Sequence, residues 1–224
     1  MTLTKLRRNG SVEQSWRRRF LGGHPSLALM ATVSLLGAGL QANAQARLPL
    51  PAPGQMTPQQ AAAARQFLET RKSPVFGPFI PLLRSPDLML RAKEMGDYLR
   101  YNSVLPPRLS ELAILIVARS WSQNVEWEIH QPIALKAGVS AATVEAIAAG
   151  RRPDAMTREE EAVYDVLTEV ERTKTLGDKT YARALALFGD RGVVDLIGIE
   201  GYYTFLAMVL NVARTETTGG PTLP

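Results

Sequence analysis

The chain has 224 residues, 46% of them hydrophobic and 21% charged, a composition that suits one globular domain with extensions. It contains no cysteine, which excludes disulfides, thiolate metal sites and cysteine-based peroxide reduction. The net charge of +5 is concentrated in residues 1–46, which hold six of the 26 basic residues and one of the 21 acidic residues. The remaining 20 basic and 20 acidic residues balance, so the composition gives no support to nucleic-acid binding.

Residues 1–46 have the order of an export signal: a basic start, an apolar run over residues 26–40 and small residues around Ala44 and Ala46. The apolar run is shorter than the roughly 20 residues of a permanent membrane span. We therefore expect cleavage after Ala44 or Ala46 and a periplasmic or secreted mature protein without a membrane span. The residues Arg17–Arg19 resemble a twin-arginine export pattern, although a tryptophan precedes them where Ser or Thr is usual.

The first part of the mature chain predicts a linker, a helix and an irregular segment. Residues 47–56 are a proline-rich linker, which we expect to be extended and mobile. A helix is predicted over residues 58–71, with Thr57 as N-cap and Gln60 completing a capping box. Residues 73–84 contain three prolines and a glycine among large apolar residues, which favours a buried segment without regular helix.

Two helices follow. Ser85 is placed as the N-cap of a helix that runs to about Tyr101. The next, over residues 108–121, has apolar side chains at i, i+3, i+4, i+7 and i+8 and on neighbouring positions as well, which predicts a helix packed between other elements. Glu111 lies inside it, and a carboxylate on such a helix is at an exposed edge, paired or functional.

The following helix carries Glu126 and His130 four residues apart, on one face. His130 is the one histidine outside the export signal, and its side chain titrates closest to neutral pH, which makes it a candidate for proton transfer as well as for a structural core histidine. Pro132 lacks an N–H group, so we expect the helix to kink or restart there before it ends at Gly138.

The rest of the chain predicts four further helices, over residues 140–149, 157–173, 179–188 and 193–214. The last is apolar enough to resemble a membrane span, but Asp195 and Glu200 inside it favour a central or interface helix. Residues 215–224 are expected to form a disordered tail. No stretch has the alternation of a strand, so the predicted fold class is all-α.

Four motifs in the same order resemble the carboxymuconolactone decarboxylase-like family, which includes alkylhydroperoxidase-D-like proteins. They are GPFIPLLRSPDLMLRAKEMGDYLR (77–100), LPPRLSELAILIVAR (105–119), EWEIHQPIALKAGVS (126–140) and GYYTFLAMVLNVA (201–213). The resemblance implies a single multi-helix domain over residues 57–214. It also implies a homo-oligomer, commonly a trimer or a multiple of trimers.

In the peroxidase branch of that family, a glutamate is followed at +12 and +15 by cysteines and at +19 by a histidine. Counting from Glu111 gives Gln123, Glu126 and His130, so this chain resembles a cysteine-less branch. The decarboxylase branch removes a carboxyl group without metal or organic cofactor. That resemblance implies His130 as the acid/base, with Glu126 and Glu111 orienting or tuning it, and a small carbonyl acid or lactone as substrate.

An anionic substrate also needs cations, and near the motif the sequence offers Arg108, Arg119 and Lys136. Three alternatives stay open: an exported non-catalytic helical oligomer that binds a small ligand, a lactone hydrolase in which His130 activates water, and a metal bound by the three motif residues. The aromatic residues Trp127, Tyr202, Tyr203 and Phe205 are interpreted as core or subunit-contact residues.

Overall fold

The computed structural model describes residues 45–52 and 54–224, and within these ranges it contains eight helices and no strand, which confirms the all-α prediction. The predicted export signal lies outside the described residues except for its last two, and it stays a prediction. The helices are α1 (Pro58–Arg71), α2 (Phe79–Leu82), α3 (Pro86–Tyr101), α4 (Pro107–Ser120), α5 (Asn124–Lys136), α6 (Ala141–Ala148), α7 (Arg158–Thr173) and α8 (Asp178–Ala213).

Hydroxyl side chains cap the starts of three helices. Thr57 at α1 and Thr157 at α7 each form a complete capping box, in which the threonine hydroxyl accepts from the N3 backbone and the N3 side chain accepts from the threonine N–H. At α6 the Ser140 hydroxyl accepts from the Thr143 N–H at 3.0 Å. These local bonds explain why the helix starts could be predicted from the sequence.

The local predictions around two prolines are confirmed in part. Ser85 is the N-cap of α3 and Pro86 its first residue, as predicted, but the Ser85 hydroxyl makes no capping hydrogen bond. Helix α5 continues through Pro132 instead of restarting, and its packing along α4 offsets the missing hydrogen bond. The segment 73–84 also contains one regular turn, the short helix α2.

Helix α4 is the centre of the domain. Its ten residues from Leu109 to Ala118 are all buried, and it packs against α5, α7 and α8, with smaller contacts to α3 and α6. The prediction of a helix enclosed by others is therefore confirmed. Glu111 belongs to this buried stretch, so its carboxylate must find partners inside the domain.

Helix α8 consists of two helical segments that meet at Gly189, where φ of 67° and ψ of 175° are not helical. By length and composition it could cross a membrane, yet half of its most apolar window is buried inside the domain. Asp195 within it is buried and accepts hydrogen bonds from Ser103 Oγ at 2.7 Å and Tyr98 Oη at 3.0 Å. A buried, paired carboxylate is typical of a core helix.

The C-terminal tail differs from the expected disorder. The Glu128 carboxylate on α5 accepts from Thr218 N at 2.8 Å, Thr218 Oγ1 at 2.7 Å and Gly220 N at 2.6 Å, and Asn124 Oδ1 accepts from Leu223 N at 2.8 Å. The physical reason is that one charged acceptor satisfies several tail donors at once.

The proline-rich linker also lies against the domain. Arg47 N donates to the carbonyl of Ala213 at 2.6 Å, and Arg84 Nη2 donates to the carbonyl of Pro49 at 2.6 Å. The described part of the linker is therefore tied to the end of α8 and to the chain after α2, unlike the mobile tether that its composition predicts.

Replacing Gly96 on α3 with alanine should destabilise the protein by about 1–3 kcal/mol. A Cβ there would lie 2.8 Å from Tyr202 Cζ, and Tyr202 is 4% exposed and packed edge-on against Tyr203, so it has little room to move. The matched control is Gly201→Ala on α8, where a Cβ meets nothing within 4 Å. Urea unfolding should give a lower midpoint for Gly96→Ala only, and equal midpoints would contradict this packing.

Candidate active site

The centre of the candidate site is His130, whose imidazole lies between two buried carboxylates. Nδ1 donates to Glu111 Oε2 at 2.6 Å, and Nε2 lies 3.4 Å from Glu126 Oε2. His130, Glu111 and Glu126 are 3%, 5% and 2% exposed, respectively. The structure thus brings together all three residues that the sequence predicted, from the two helices α4 and α5.

The bond to Glu111 fixes which ring nitrogen carries the proton. A carboxylate oxygen accepts, so the tautomer that satisfies Glu111 has its hydrogen on Nδ1. Nε2 is then the basic nitrogen, and it faces Glu126. The histidine is therefore oriented for proton exchange through Nε2, with Glu111 as the group that holds the ring in place.

Glu126 occupies an unusual environment for a carboxylate. Burial raises the pKa of Glu126, and the charges of His130 and Arg100 counteract this only in part. Its Oε1 is buried and has no hydrogen-bond partner within the described residues. A carboxyl group held in this way favours the protonated form, and it lies beside the basic nitrogen of His130.

Two further groups, which the sequence reasoning did not assign to the site, come from other helices. Arg100 near the end of α3 places Nη2 3.6 Å from Glu111 Oε1, and its Nε is buried with no hydrogen-bond partner in the described ranges. The Tyr203 ring on α8 stands edge-on to the imidazole of His130, with centroids 5.2 Å apart and planes at 89°. Burial raises the pKa of Tyr203 well above its usual range, so its hydroxyl is kept as a neutral donor.

The cations proposed from the sequence lie elsewhere. Arg108 pairs with Glu160 at 2.5 Å, and Arg119 lines a separate cavity between α4, α6 and α7. Lys136 is not among the residues around His130. Arg71 and Arg100 are the cations near His130 instead. The sequence pointed to Arg100 only through its position at the end of the first family motif.

The position that corresponds to the first peroxidase thiol holds a structural glutamine. Gln123 Oε1 accepts from Val125 N at 2.6 Å and caps α5, while its Nε2 donates to Asn211 Oδ1 at 2.7 Å. Trp127 is 1% exposed and lies in the core, as expected. Among the described residues, no group of three or more histidine, aspartate and glutamate side chains has the arrangement of a metal site.

The cluster opens into a small cavity of about 30 Å³, which has room for about two water molecules. Polar groups from α1, α3, α5 and α8 meet in its wall: Arg71, Arg100, Glu126, His130 and Tyr203. The rest of the wall is largely apolar and includes Phe76 and Ile129. The site therefore combines proton-transfer groups, a cation and a hydroxyl donor in a largely dry environment, where electrostatic interactions are strong.

Comparison with known structures defines the fold class as AhpD-like. A protein of unknown function from Agrobacterium tumefaciens, linked to the antioxidant defence protein AhpD, is 17% identical, with a TM-score of 0.53 over 60% of this chain and 92% of that chain. A variant of the debrominase Bmp8 in complex with 2,3,4-tribromopyrrole is 14% identical, with a TM-score of 0.57 over 77% of this chain and 91% of that chain. An AhpD-core, peroxidase-related protein from Ralstonia eutropha is 12% identical, with a TM-score of 0.57 over 78% and 93%.

At these identities the structures establish the fold alone. Residues 86–169, from the start of α3 into α7, match the carboxymuconolactone decarboxylase family model. This match confirms the resemblance to the carboxymuconolactone decarboxylase family that the sequence motifs indicate, and the similar structures share the fold. A comparison with curated proteins found no match.

The raised pKa of Glu126 predicts a pH-dependent loss of stability. Because the pKa is higher in the folded state, folding favours the protonated form, and the free energy of unfolding should fall as pH rises from roughly 4 towards the folded-state pKa. The Glu126→Gln variant should lack this fall. Urea unfolding at a series of pH values from about 4 upwards measures it.

The control is Glu145→Gln, which removes a carboxylate from the exposed face of α6. This variant should follow the wild-type pH dependence. Infrared difference spectra should also show a protonated carboxyl band that is present in the wild type and absent in Glu126→Gln. A wild type and a Glu126→Gln variant with parallel pH profiles would contradict the assignment.

Proposed function

We propose that this protein is a cofactor-free acid/base enzyme that acts on a small carbonyl acid or lactone, by decarboxylation or proton transfer. The observation that carries the proposal is the arrangement of His130, whose Nδ1 is bonded to Glu111 while Nε2 faces the cavity residue Glu126. Arg100 and Tyr203 line the same cavity. Together they supply a proton carrier, its orienting group and two donors for a developing negative charge.

In the proposed decarboxylation, the carbon–carbon bond to the carboxylate breaks and CO2 leaves. The electron pair moves to a neighbouring carbonyl oxygen, which becomes an enolate, and a proton then adds to the carbon. Arg100 and the Tyr203 hydroxyl are the donors available for the enolate oxygen, because both line the cavity and the Arg100 Nε has no partner in the described residues. The proton of Glu126 passes to Nε2 of His130, which delivers it to the carbon, and a proton from solvent then restores the Glu126 carboxyl group.

The absence of cysteine limits the comparison with AhpD-like relatives. A thiol peroxidase needs one thiolate to attack the peroxide and a second thiol to resolve the product, and this chain has neither. A carboxyl group, Glu126, stands at the second thiol position. The proposed reaction therefore uses proton transfer and needs no thiol redox step.

A second candidate is lactone hydrolysis, which the size of the cavity favours. A volume of about 30 Å³ lined by His130 suits a water molecule that this residue could activate. Hydrolysis opens the ring and releases no CO2, so the products separate it from decarboxylation. The non-catalytic alternative, a ligand-binding helical oligomer, gives neither product.

The direct test is a panel of lactones and β-keto acids, with CO2 release and ring opening followed together on the mature protein. Turnover that releases CO2 supports the first candidate, and ring opening alone supports the second. For the active substrate, His130→Gln should reduce kcat by about a hundredfold or more, because the proton carrier is lost. Full activity in His130→Gln would contradict both catalytic candidates, decarboxylation and lactone hydrolysis.

The structure offers a matched pair of glutamates as a control. Glu111 and Glu160 are each 5% exposed and each face an arginine, but only Glu111 contacts His130. Glu111→Gln should lower kcat by about tenfold or more with little change in KM, whereas Glu160→Gln should affect stability alone. Equal effects of the two variants would point to a structural role for Glu111.

We also propose that the chain forms a homo-oligomer, a trimer or a multiple, through an apolar stripe on α8. The stripe consists of Val194, Ile197, Met208 and Val212, which are 68%, 40%, 42% and 62% exposed and lie on one side of the helix. Exposed apolar groups that share one side of a helix are typical of protein interfaces.

Met208→Glu should shift the assembly towards monomers, because it places a charge in the middle of this stripe. Sedimentation velocity measures the change. Leu68→Glu is the control, since Leu68 on α1 is 49% exposed and lies outside the stripe. A wild type that sediments as a monomer would refute the proposed assembly.

A further inference from the structure

A second, larger cavity lies next to the candidate active site. Its volume is about 490 Å³, and its walls come from the segment around α2, from α5 and from the C-terminal tail. Apolar side chains dominate the part of the wall formed by α2 and α5, including Ile80 and Val125. We call it the outer cavity, and the 30 Å³ space at His130 the inner cavity.

The two cavities are neighbours because they share wall residues. Phe76 and Ile129 line both of them and form the partition between them. The inner cavity is too small for an organic substrate, since ligand pockets in proteins usually measure about 300–1,000 Å³. The outer cavity falls within this range. Together, the two cavities therefore have the volume that an organic substrate needs, which the inner cavity alone does not have.

The roof of the outer cavity is the C-terminal tail, held by three donors of Thr218 and Gly220 that bond to the Glu128 carboxylate. Gly220 permits this contact, because a Cβ there would lie 2.5 Å from Glu128 Cγ. The charge of Glu128 is thereby used to hold the tail. The rest of the wall is largely apolar, so the outer cavity favours an apolar group.

The positive charges lie on the other side of the partition. Arg71 and Arg100 line the inner cavity, whereas the acidic residues Glu128 and Glu216 line the outer one. Arg71 is paired with Asp97 at 2.7 Å, which makes Arg100 the better available donor. A molecule that spans both cavities would therefore have its anionic or carbonyl end inside and its apolar body outside.

We propose that the outer cavity binds the apolar body of an amphiphilic substrate, whose carbonyl or carboxylate end passes between Phe76 and Ile129 to reach Arg100 and His130. This inference rests on the proposed function. It narrows the substrate class to carbonyl acids or lactones that carry an alkyl or aryl group. The tail becomes part of the binding site, and Ile80 becomes a residue that determines specificity.

The experiment compares two stable 2-oxo acids by titration calorimetry on the full mature chain. Pyruvate has only the polar end, and 2-oxooctanoate adds an alkyl chain that the outer cavity would bind. We expect 2-oxooctanoate to bind at least about tenfold more tightly, because each buried methylene favours binding. Equal affinities for the two acids would overturn the proposal.

Ile80→Trp places an indole in the outer cavity and should abolish the preference for the longer acid while pyruvate binding is unchanged. Leu68→Trp adds the same group on the exposed side of α1 and should keep the preference. A preference that survives in folded Ile80→Trp contradicts the assignment of the alkyl chain to this cavity.

Gly220→Ala provides an independent route, should Ile80→Trp not fold. Its methyl group displaces the tail from Glu128, so the preference should shrink by about threefold or more, whereas Thr217→Ala beside the roof contacts should keep it. An unchanged preference in Gly220→Ala would show that the tail is not part of the binding site.

Two variants separate this inference from the proposed function. Arg100→Gln should weaken both acids to a similar degree, because it removes the donor for their shared end. His130→Gln should lose turnover and keep the preference for 2-oxooctanoate. If the wild type prefers 2-oxooctanoate but turns over no substrate, the binding role of the outer cavity is supported and the catalytic proposal fails. If it turns over a substrate but shows no preference, the catalytic proposal is supported and the binding role of the outer cavity fails.

Discussion

The hydrogen bond between His130 and Glu111 is the interaction on which the site depends. It joins α5 to α4 inside the apolar core, between side chains that are 4% and 7% exposed. An ionised carboxylate is costly in such surroundings unless it is paired, and the imidazole together with Arg100 of α3 supplies the pairing. Because the partners belong to three helices, the arrangement requires their packing to be maintained. The continuously buried α4 provides that support.

The same frame holds two residues at the positions where the peroxidase pattern that this chain resembles has cysteines. One of the two corresponding positions, Gln123, caps α5 and bonds to α8, so it has become structural. The other, Glu126, keeps a titratable group beside the histidine but exchanges thiol chemistry for a carboxyl group whose pKa is raised by burial. In the proposed function this carboxyl group holds the proton that His130 transfers, and in the further proposal the outer cavity supplies the volume that the inner cavity lacks.

Most of the fold could be predicted because its signals are local. Capping boxes at Thr57 and Thr157 and the glycine after α5 act within a few residues of one another, so their effect is visible in the sequence. The errors have a common cause. Continuation through Pro132 depends on packing against α4, and the ordered tail depends on Glu128, a residue about 90 positions away along the chain. Neither influence leaves a mark in the local pattern.

By itself, the sequence determined the helical class, the lack of thiol chemistry and the pairing of Glu126 with His130, because residues four apart share one face of a helix. The family motifs added Glu111, which lies 19 residues from His130. Only the tertiary structure decided that Arg100 and Tyr203 complete the site, that Arg108 and Arg119 do not, and that the tail covers a second cavity. The reason is that crossing helices bring together side chains of any sequence separation, and which ones meet depends on the packing of the whole domain.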